Sequence, residues 1–301
     1  MSAVVAEKHE GPWTIESLIR WATEDFRGRG IDAPRLDAEV LLAFALDTTR
    51  MQLIIDAKRP LAEAELTCFR ELVKRRRKKE PVAYVRGERE FYGRNFKVDR
   101  RVLVPRPDTE TLVEVALKRT TPLSMSMRAL DLCTGSGCVA ITLGRERATS
   151  RIYATDISRD ALDVARKNAL RIGAYNVAFV EGDLFAPVDA FAGRVRFDVI
   201  TANPPYIPHA EIDTLMPDVR DFEPRLALDG GADGLDLIRR IIADAPRFLA
   251  QNGILAMVVG AGEAGPVQEL FEARGFTSVS ATRDYGRIER VVDGRWTQSS
   301  F

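Results

Sequence analysis

From about residue 127 the sequence alternates short apolar runs with amphipathic segments, and this alternation constrains the fold more than any other feature. Five runs have the length and composition of buried strands: RALDLC, RIYATD, VAFVEGD, FDVITAN and GILAMVVG. Helical patterns such as SRDALDVARKNALRIG, with Ser158 as N-cap, separate several of them. Right-handed crossovers between such strands give one sheet covered by helices on both faces. We therefore predict an α/β fold with a doubly wound, mostly parallel sheet and a terminal hairpin that adds an antiparallel edge strand.

The region before this alternation has a helical period. TIESLIRWATEDF places Ile15, Leu18 and Phe26 on one face behind Thr14, a predicted N-cap, and residues 1–80 are predicted to form a small helical bundle. The basic run KRRRKK closes its last helix and is interpreted as a solvated helix end rather than a nucleic-acid patch. Residues 81–104 alternate aromatic and β-branched residues with charges, which predicts a β-hairpin linker to an α/β domain over 105–301.

Composition excludes several classes of function. Lys plus Arg and Asp plus Glu both total 44, so the formal net charge of zero argues against a protein that binds mainly by coating phosphates. The only histidines are His9 and His209, the second a predicted water-facing loop residue, and the 3 cysteines form no CxxC pair. We expect no metal site. The charged first residues and the absence of long apolar runs lead us to expect a soluble, cytoplasmic protein with no membrane contact.

A glycine-rich loop, DLCTGSGCVA from Asp131 to Ala140, follows the first strand and opens a helix. Glycine lets the backbone approach a ligand closely, and a helix N-terminus offers unpaired N–H groups. The spacing Gly135-x-Gly137-x-x-Ala140 fits the loose dinucleotide pattern. It is compatible with NAD, FAD, S-adenosylmethionine or a merely structural tight turn.

Acidic residues end three successive strands around this loop. Asp156 stands where a carboxylate can accept from both ribose hydroxyls, and Asp183 where it can accept from an adenine amino group flanked by Leu184 or Phe185. Each acid could instead cap the next helix. Asp131 would face the cationic end of the ligand, where a carboxylate attracts a sulfonium and an amino group but repels a pyrophosphate. This arrangement favours S-adenosylmethionine.

The stretch Asn203-Pro204-Pro205-Tyr206 ends the fourth strand at the same edge. A planar NH₂ group is a poor nucleophile because its lone pair is delocalised. The side-chain carbonyl of Asn203 and the backbone carbonyl of Pro204, fixed by the proline φ, can accept its two hydrogens, and Tyr206 can offer a face for the planar group. Positioning and electrostatics then supply most of the acceleration of methyl transfer. The alternative is a Pro-Pro turn in which Asn203 bonds its own backbone.

The sequence resembles the release factor glutamine methyltransferases, the HemK-like group, from about Glu80 onward. The resemblance is carried by EPVAYVRGEREFYG, VLVPRPDTE, DLCTGSG, NPPYIP, FEPRLALDGGADGL and RDYGRIERVV. It implies a Rossmann-like class I methyltransferase fold over 105–301 and methylation, by S-adenosylmethionine, of the side-chain amide nitrogen of the GGQ glutamine in class 1 peptide chain release factors. The helical domain and the hairpin would help to grip the release factor, with no nucleic acid required.

The residues that the resemblance assigns fall into two sets. Those expected to contact the cofactor are Cys133, Thr134, Gly135, Ser136, Gly137, Asp156, Leu184 and Asn203, and those expected to contact the acceptor glutamine are Asn203, Pro204, Pro205 and Tyr206. Two positions depart from the family pattern. Cys133 stands where glycine is usual, and Val258-Val259-Gly260 lacks an acidic residue often found before the glycine.

Other functions are compatible with parts of this pattern. A ribosomal-protein glutamine methyltransferase shares the glycine loop, although PRPDTE favours the release factor group. An adenine-N6 methyltransferase also acts on a planar NH₂ group, but it needs a basic groove or a sizeable recognition domain. A cofactor-binding module without catalysis and an NAD oxidoreductase are the remaining alternatives.

Overall fold

The computed structural model describes residues 12–121, 126–191 and 195–298. The chain divides into two compact units between Arg86 and Gly87. The first unit is a helical bundle formed by α1 (Ile15–Gly28), α2 (Pro34–Ala45), α3 (Arg50–Ile55), α4 (Glu63–Arg77) and α5 (Val82–Arg86). Thr14 is the N-cap of α1, as predicted, since its Oγ1 accepts from the Ser17 backbone N–H at 3.3 Å. None of the described helices combines the length and apolar character that a membrane crossing needs.

The basic run at the end of α4 ties the bundle together. Arg76 pairs with Asp37 of α2 at 2.8 Å, and Arg77 pairs with Asp25 of α1 at 2.9 Å. Arg76 is buried, with 6% of its surface exposed. The run ends the helix as predicted, but part of it is an internal ion-pair network rather than a solvated surface.

The predicted hairpin over 81–104 is shorter than expected. Its strands are β1 (Glu88–Phe91) and β2 (Arg94–Lys97), paired antiparallel. Tyr92 and Gly93 have φ values of 51° and 70°, and two left-handed residues in succession are the turn that matches strand twist. Residues 82–86 form helix α5 instead of a strand because that conformation buries Ala83, Tyr84 and Val85.

The second unit contains a 7-stranded sheet in the order β5-β4-β3-β6-β7-β9-β8. The five strands from β3 to β7 pair in parallel, as predicted, and β9 is antiparallel to both of its neighbours. The terminal hairpin therefore joins the sheet through its second strand, and the antiparallel strand lies one position inside the edge. The strands are β3 (Arg128–Leu132), β4 (Arg151–Asp156), β5 (Val177–Glu181), β6 (Phe197–Ala202), β7 (Leu249–Val258), β8 (Thr277–Arg283) and β9 (Glu289–Trp296).

Helices cover both faces of this sheet. Along β3, Leu130 and Leu132 belong to one hydrophobic cluster while Ala129 belongs to another, as the period of two in a strand requires. Helices α10 and α11 pack into the first cluster, and α6, α7 and α8 into the second. This confirms the doubly wound fold. The helices are α6 (Asp108–Arg119), α7 (Cys138–Glu146), α8 (Arg159–Ile172), α9 (Pro217–Arg220), α10 (Asp236–Asp244) and α11 (Ala264–Arg274).

The strand order fixes where a ligand can bind. The chain runs outward from β3 through β4 to β5, then returns to place β6 on the other side of β3. In open α/β sheets, ligands bind at such a switch point, outside the carboxyl ends of the strands. The glycine loop after β3 and the Asn203 segment after β6 meet at this point.

Candidate active site

A cavity of about 340 Å³ lies at the carboxyl ends of β3, β4, β5 and β6. Three of the predicted site residues, Gly137, Pro204 and Tyr206, are not part of its lining. Further lining residues lie within 101–106 and 224–227, and others are Thr109, Cys138, Val139, Ile157, Ser158, Ala161, Gly182, Leu237 and Arg240. The predicted residues that line the cavity are Asp131, Cys133, Thr134, Gly135, Ser136, Asp156, Asp183, Leu184, Asn203 and Pro205.

The glycine loop depends on left-handed backbone conformations. Gly135 and Gly137 have φ values of 54° and 81°. A Cβ on Gly137 would lie 2.8 Å from Ile141 Cδ1 and 3.1 Å from the Ala165 Cβ, so this glycine allows α7 and α8 to pack rather than contacting the cavity. Cys133 has a φ of 55°, which costs a residue with a Cβ about 1–2 kcal/mol. That strain explains why glycine suits this position better.

Asp131 ties the glycine loop to β6. Its Oδ2 accepts from Thr134 Oγ1 at 2.6 Å and its Oδ1 from Thr201 Oγ1 at 2.7 Å. The side chain is buried, and this burial raises the pKa of the carboxyl group to about 7. Near neutral pH the group is therefore close to half ionised, and a cation beside it would shift it towards the carboxylate.

Asp156 ties the same loop to β4. Its Oδ2 accepts from the Gly135 backbone N–H at 2.9 Å, and its Oδ1 accepts from the Ser158 backbone N–H at 2.9 Å. Burial raises the pKa of this carboxyl group as well. Each oxygen of a carboxylate has a second lone pair, so the side chain can fix the loop and still accept from two ligand hydroxyls.

Asp183 has a partner that the sequence did not reveal. Its Oδ2 accepts from Arg240 Nη2 of α10 at 2.6 Å, and both side chains are about half exposed. Asp183 lines the cavity, and its carboxylate can accept further hydrogen bonds through the second oxygen. Ile157 and Leu184 add apolar surface to the cavity wall, and Ile157 is 54% exposed there. Such surface suits a flat ring.

The side chain of Asn203 has a defined orientation. Its Nδ2 donates to Thr109 Oγ1 at 3.4 Å, and the Thr109 hydroxyl donates to Asp108 Oδ1 at 3.4 Å. Arg290 Nε lies 3.7 Å from the other Asp108 oxygen. Because a carboxylate oxygen can only accept, the direction of each hydrogen bond from Asn203 through Thr109 to Asp108 is fixed. The Asn203 Oδ1 is then the free end of the amide, and it can accept a hydrogen bond in the cavity.

Two glycines of the GGADGL segment support the turn after Asn203. The Ile207 N–H donates to Leu228 O at 3.0 Å, and the Gly230 N–H donates to Ile207 O at 2.9 Å. A Cβ on Gly230 would lie 2.8 Å from Tyr206 Cα, and one on Gly234 would lie 2.4 Å from Tyr206 O. Tyr206 itself packs against both hydrophobic clusters, and burial raises the pKa of its hydroxyl. The tyrosine therefore anchors the turn from behind the cavity wall.

His209 begins a short 3-10 helix (His209–Thr214) after this turn rather than lying in a loop, and it is largely exposed, as predicted. Its Nδ1 lies 2.8 Å from Asp229 Oδ2, and its side chain is 65% exposed. Among the described residues, no three His, Cys, Asp or Glu side chains are grouped so that they could hold a metal ion.

Many of the cavity residues that sequence reasoning missed come from two distant segments, 101–109 and 224–227. Arg106 pairs with Glu223 at 2.6 Å across 117 positions of sequence, and Arg100 lies over the Phe222 ring at 4.5 Å. The motifs VLVPRPDTE and FEPRLALDGGADGL contain most of these residues. These two motifs marked the segments in the sequence, but the role of each residue depends on the contact between the two segments.

Comparison with known proteins matches two family models to this chain. One, described as "PrmC N-terminal domain", covers residues 17–87, and the other, described as "Methyltransferase small domain", covers residues 108–218. A crystal structure of a methyltransferase from Pyrococcus furiosus covers 69% of this chain and 91% of its own, with a TM-score of 0.51 and 20% identity. That similarity shows the fold.

Two relatives match nearly the whole chain. A release factor glutamine methyltransferase from Geobacter sulfurreducens (strain ATCC 51573 / DSM 12127 / PCA) is 41% identical over 283 residues, which are 94% of this chain and 97% of the relative. One from Chlorobaculum tepidum (strain ATCC 49652 / DSM 12025 / NBRC 103806 / TLS) is 41% identical over 286 residues, which are 93% of this chain and 97% of the relative.

Proposed function

Because this chain belongs to the release factor glutamine methyltransferase family, we propose that it transfers a methyl group from S-adenosylmethionine to the side-chain amide nitrogen of the GGQ glutamine in class 1 peptide chain release factors. The observation that carries the proposal is the orientation of Asn203, whose Nδ2 donates to Thr109. This leaves a carbonyl oxygen to accept from a planar NH₂ group beside the glycine loop. The helical unit and the β1–β2 hairpin are proposed to bind the release factor.

The cavity residues fit the proposed cofactor. S-Adenosylmethionine supplies an electrophilic methyl group on a sulfonium. Asp156 accepts from the ribose hydroxyls, and Asp183 accepts from the adenine amino group through the oxygen that Arg240 does not use. Ile157 and Leu184 flank the adenine ring, and the buried Asp131 balances the positive charge.

The acceptor amide is activated mainly by its position. Its nitrogen lone pair is delocalised, and removing a proton beforehand is very costly near neutral pH. Asn203 Oδ1 and the Pro204 carbonyl hold one amide hydrogen each, so the nitrogen is aimed in one direction and the developing positive charge meets two oxygens. As the nitrogen–methyl bond forms, the methyl–sulfur bond would break to leave a neutral thioether, and the nitrogen would then lose one of its two hydrogens to solvent as a proton. The proline φ holds the second carbonyl in place, and the partly buried Tyr206, which packs against both hydrophobic clusters, holds the turn.

Mass spectrometry of a release factor incubated with this protein and S-adenosylmethionine tests the function. We expect one added methyl group, located by fragmentation on the GGQ glutamine side chain. Parallel reactions with ribosomal proteins and with DNA or RNA serve as controls. A methyl group on one of these, with none on the release factor, would replace the proposal with the corresponding alternative.

The high pKa of Asp131 gives a prediction about cofactor binding. A buried acid whose pKa is raised from 3.8 to about 7 stabilises the ligand-free fold most fully below pH 3.8, and this contribution is lost as the pH rises through 7. A bound sulfonium favours the carboxylate, so cofactor affinity should rise with pH up to about 7. Near pH 7 binding should therefore release a fraction of one proton, and this release should disappear well above the pKa.

Calorimetry in two buffers of different ionisation enthalpy measures this proton release. Asp131→Asn should reduce it to near zero, because the amide does not titrate. An unchanged release in the variant would show that a different group carries the proton.

A further inference from the structure

An acceptor carboxamide has more hydrogen-bonding groups than the proposed site has so far matched. Its NH₂ group is a double donor, and its carbonyl oxygen is an acceptor. Asn203 Oδ1 and the Pro204 carbonyl take the donors. A carbonyl oxygen buried without a donor loses its bonds to water without replacement, so the site needs a donor for it.

The residues next to Asn203 cannot provide that donor. Pro204 and Pro205 have no backbone N–H. The Asn203 Nδ2 donates to Thr109, and the Thr109 hydroxyl donates to Asp108. The side-chain donors of Asn203 and Thr109 are therefore committed, and Tyr206 is not part of the cavity lining, so we look to the other side chains that line the cavity for the missing donor.

Three arginines line the cavity: Arg101, Arg106 and Arg240. Arg240 pairs with Asp183 at the end proposed for adenine. Arg101 pairs with Asp99 at 2.6 Å. The Asp99 carboxylate, with smaller contributions from Asp160 and Asp163 of α8, raises the pKa of the Arg101 guanidinium.

Arg106 belongs to the other end of the cavity. Its backbone carbonyl accepts from the Thr109 N–H at 3.1 Å, and Thr109 is the residue to which Asn203 Nδ2 donates. Among the arginines of the lining, it is the one placed to reach the acceptor.

Glu223 holds Arg106 in this wall. Its Oε1 accepts from Arg106 Nη2 at 2.6 Å, and its Oε2 accepts from the Val104 N–H at 3.4 Å. The carboxylate is buried, with 1% of its side chain exposed, whereas the arginine is 34% exposed. A neutral pair can present N–H donors beside a sulfonium without the repulsion that an unpaired guanidinium would exert. One guanidinium amino group is occupied by Glu223, and the fork has further N–H groups.

We propose that Arg106, held by Glu223, donates a hydrogen bond to the carbonyl oxygen of the acceptor carboxamide. Asn203 and Pro204 then recognise the NH₂ end of the glutamine, and Arg106 recognises its oxygen. This assignment rests on the proposed function and names the residue that reads the other half of the acceptor group.

A double-mutant cycle tests the contact directly. Arg106→Gln is combined with a release factor whose GGQ glutamine is replaced by methionine, which has a similar length but no carboxamide. Binding is measured by calorimetry with S-adenosylhomocysteine present, so no methyl transfer occurs. We expect Arg106→Gln to weaken binding of the unmodified release factor about tenfold, and of the methionine variant less than about twofold. An equal loss with both release factors would overturn the proposal.

Arg101→Gln is the matched control, since it removes another cavity arginine from the same segment. We expect it to change the affinities for both release factors by the same factor. If Arg101→Gln and the methionine replacement in the release factor were coupled as strongly as Arg106→Gln and that replacement, the assignment to Arg106 would be overturned. If Arg106→Gln melts too low for binding measurements, Arg106→Lys takes its place. Lysine keeps one cationic donor but loses the planar fork of the guanidinium, so it should keep part of the coupling energy. A double-mutant cycle that compares the wild type with Arg106→Lys and shows no coupling would count against the proposal.

The outcome separates this inference from the proposed function. If the wild-type protein methylates the GGQ glutamine and the cycle shows no coupling, only the role of Arg106 fails. If the release factor is not methylated, the proposed function fails independently of the cycle.

Discussion

Replacement of Asn203 by alanine or aspartate is expected to lower kcat for methyl transfer by about a thousandfold, while cofactor affinity changes less than about tenfold. Alanine removes an oxygen that holds an amide hydrogen. Aspartate keeps the oxygens but loses the Nδ2 donor to Thr109, so the orientation of the side chain is no longer fixed. The loss falls on the rate because the carboxamide orients the acceptor more than it binds the donor.

Single-turnover methyl transfer gives the rate, and calorimetry gives the cofactor affinity. His209→Ala is the control, because His209 lies six residues after Asn203 and its side chain is 65% exposed. We expect this control to transfer methyl groups within about threefold of the wild-type rate, as for an exposed loop side chain. Wild-type turnover by the aspartate variant would contradict the role given to Asn203.

Replacement of Gly234 by alanine is expected to have the second large effect. Gly234 has a φ of 84°, and an added Cβ would lie 2.4 Å from Tyr206 O. Steric overlap with fixed backbone should cost about 1–3 kcal/mol beyond the left-handed strain of about 1–2 kcal/mol. Because the displaced backbone belongs to the turn that positions Asn203, we also expect kcat to fall about a hundredfold.

Gly262 provides a matched control for this substitution. It has a φ of 88° but no atom within 4 Å of an added Cβ. Gly262→Ala therefore carries the strain without the overlap, and should cost about 1–2 kcal/mol with little change in kcat. Denaturant unfolding and methyl-transfer assays measure both variants. Equal losses of stability and rate in the two proteins would show that the contact with Tyr206 O does not matter.

The sheet could be predicted from the sequence because its strands are short apolar runs separated by helical patterns. The errors came from context outside those runs. Residues 82–86 have a strand-like composition, but they form α5 because Ala83, Tyr84 and Val85 are buried as a helix. The position of β9 inside the edge depends on its pairing with β7, and no local pattern encodes which strand of a hairpin joins a sheet.

The site was predictable where one motif follows one strand. The glycine loop and the Asn203 turn are local features, and the strand order brings them to the same cavity. Thr109, Arg106 and Arg240 were not predicted because their roles come from partners far along the chain. Asp183 was identified as an acid at a strand end, but its pairing with Arg240 of α10 spans 57 positions.

The missing acidic residue before Gly260 also has a structural counterpart. The carboxylate of Glu263, three positions later, accepts from the Gly260 N–H at 2.7 Å. A Cβ on Gly234 would lie 2.9 Å from Glu263 Oε1, so the carboxylate reaches the glycine turn behind Tyr206. Burial raises the pKa of this group. Glu263, the residue before α11, therefore places a carboxylate beside the glycine turn that contacts Tyr206, outside the cavity lining.

The most direct test of the acceptor geometry is a crystal structure of the protein with S-adenosylhomocysteine and a bound release factor. The glutamine nitrogen should lie about 3 Å from both Asn203 Oδ1 and the Pro204 carbonyl, at hydrogen-bonding distance, with its free side towards the sulfur. A glutamine held elsewhere in the cavity, or one whose nitrogen faces away from both oxygens, would contradict the mechanism.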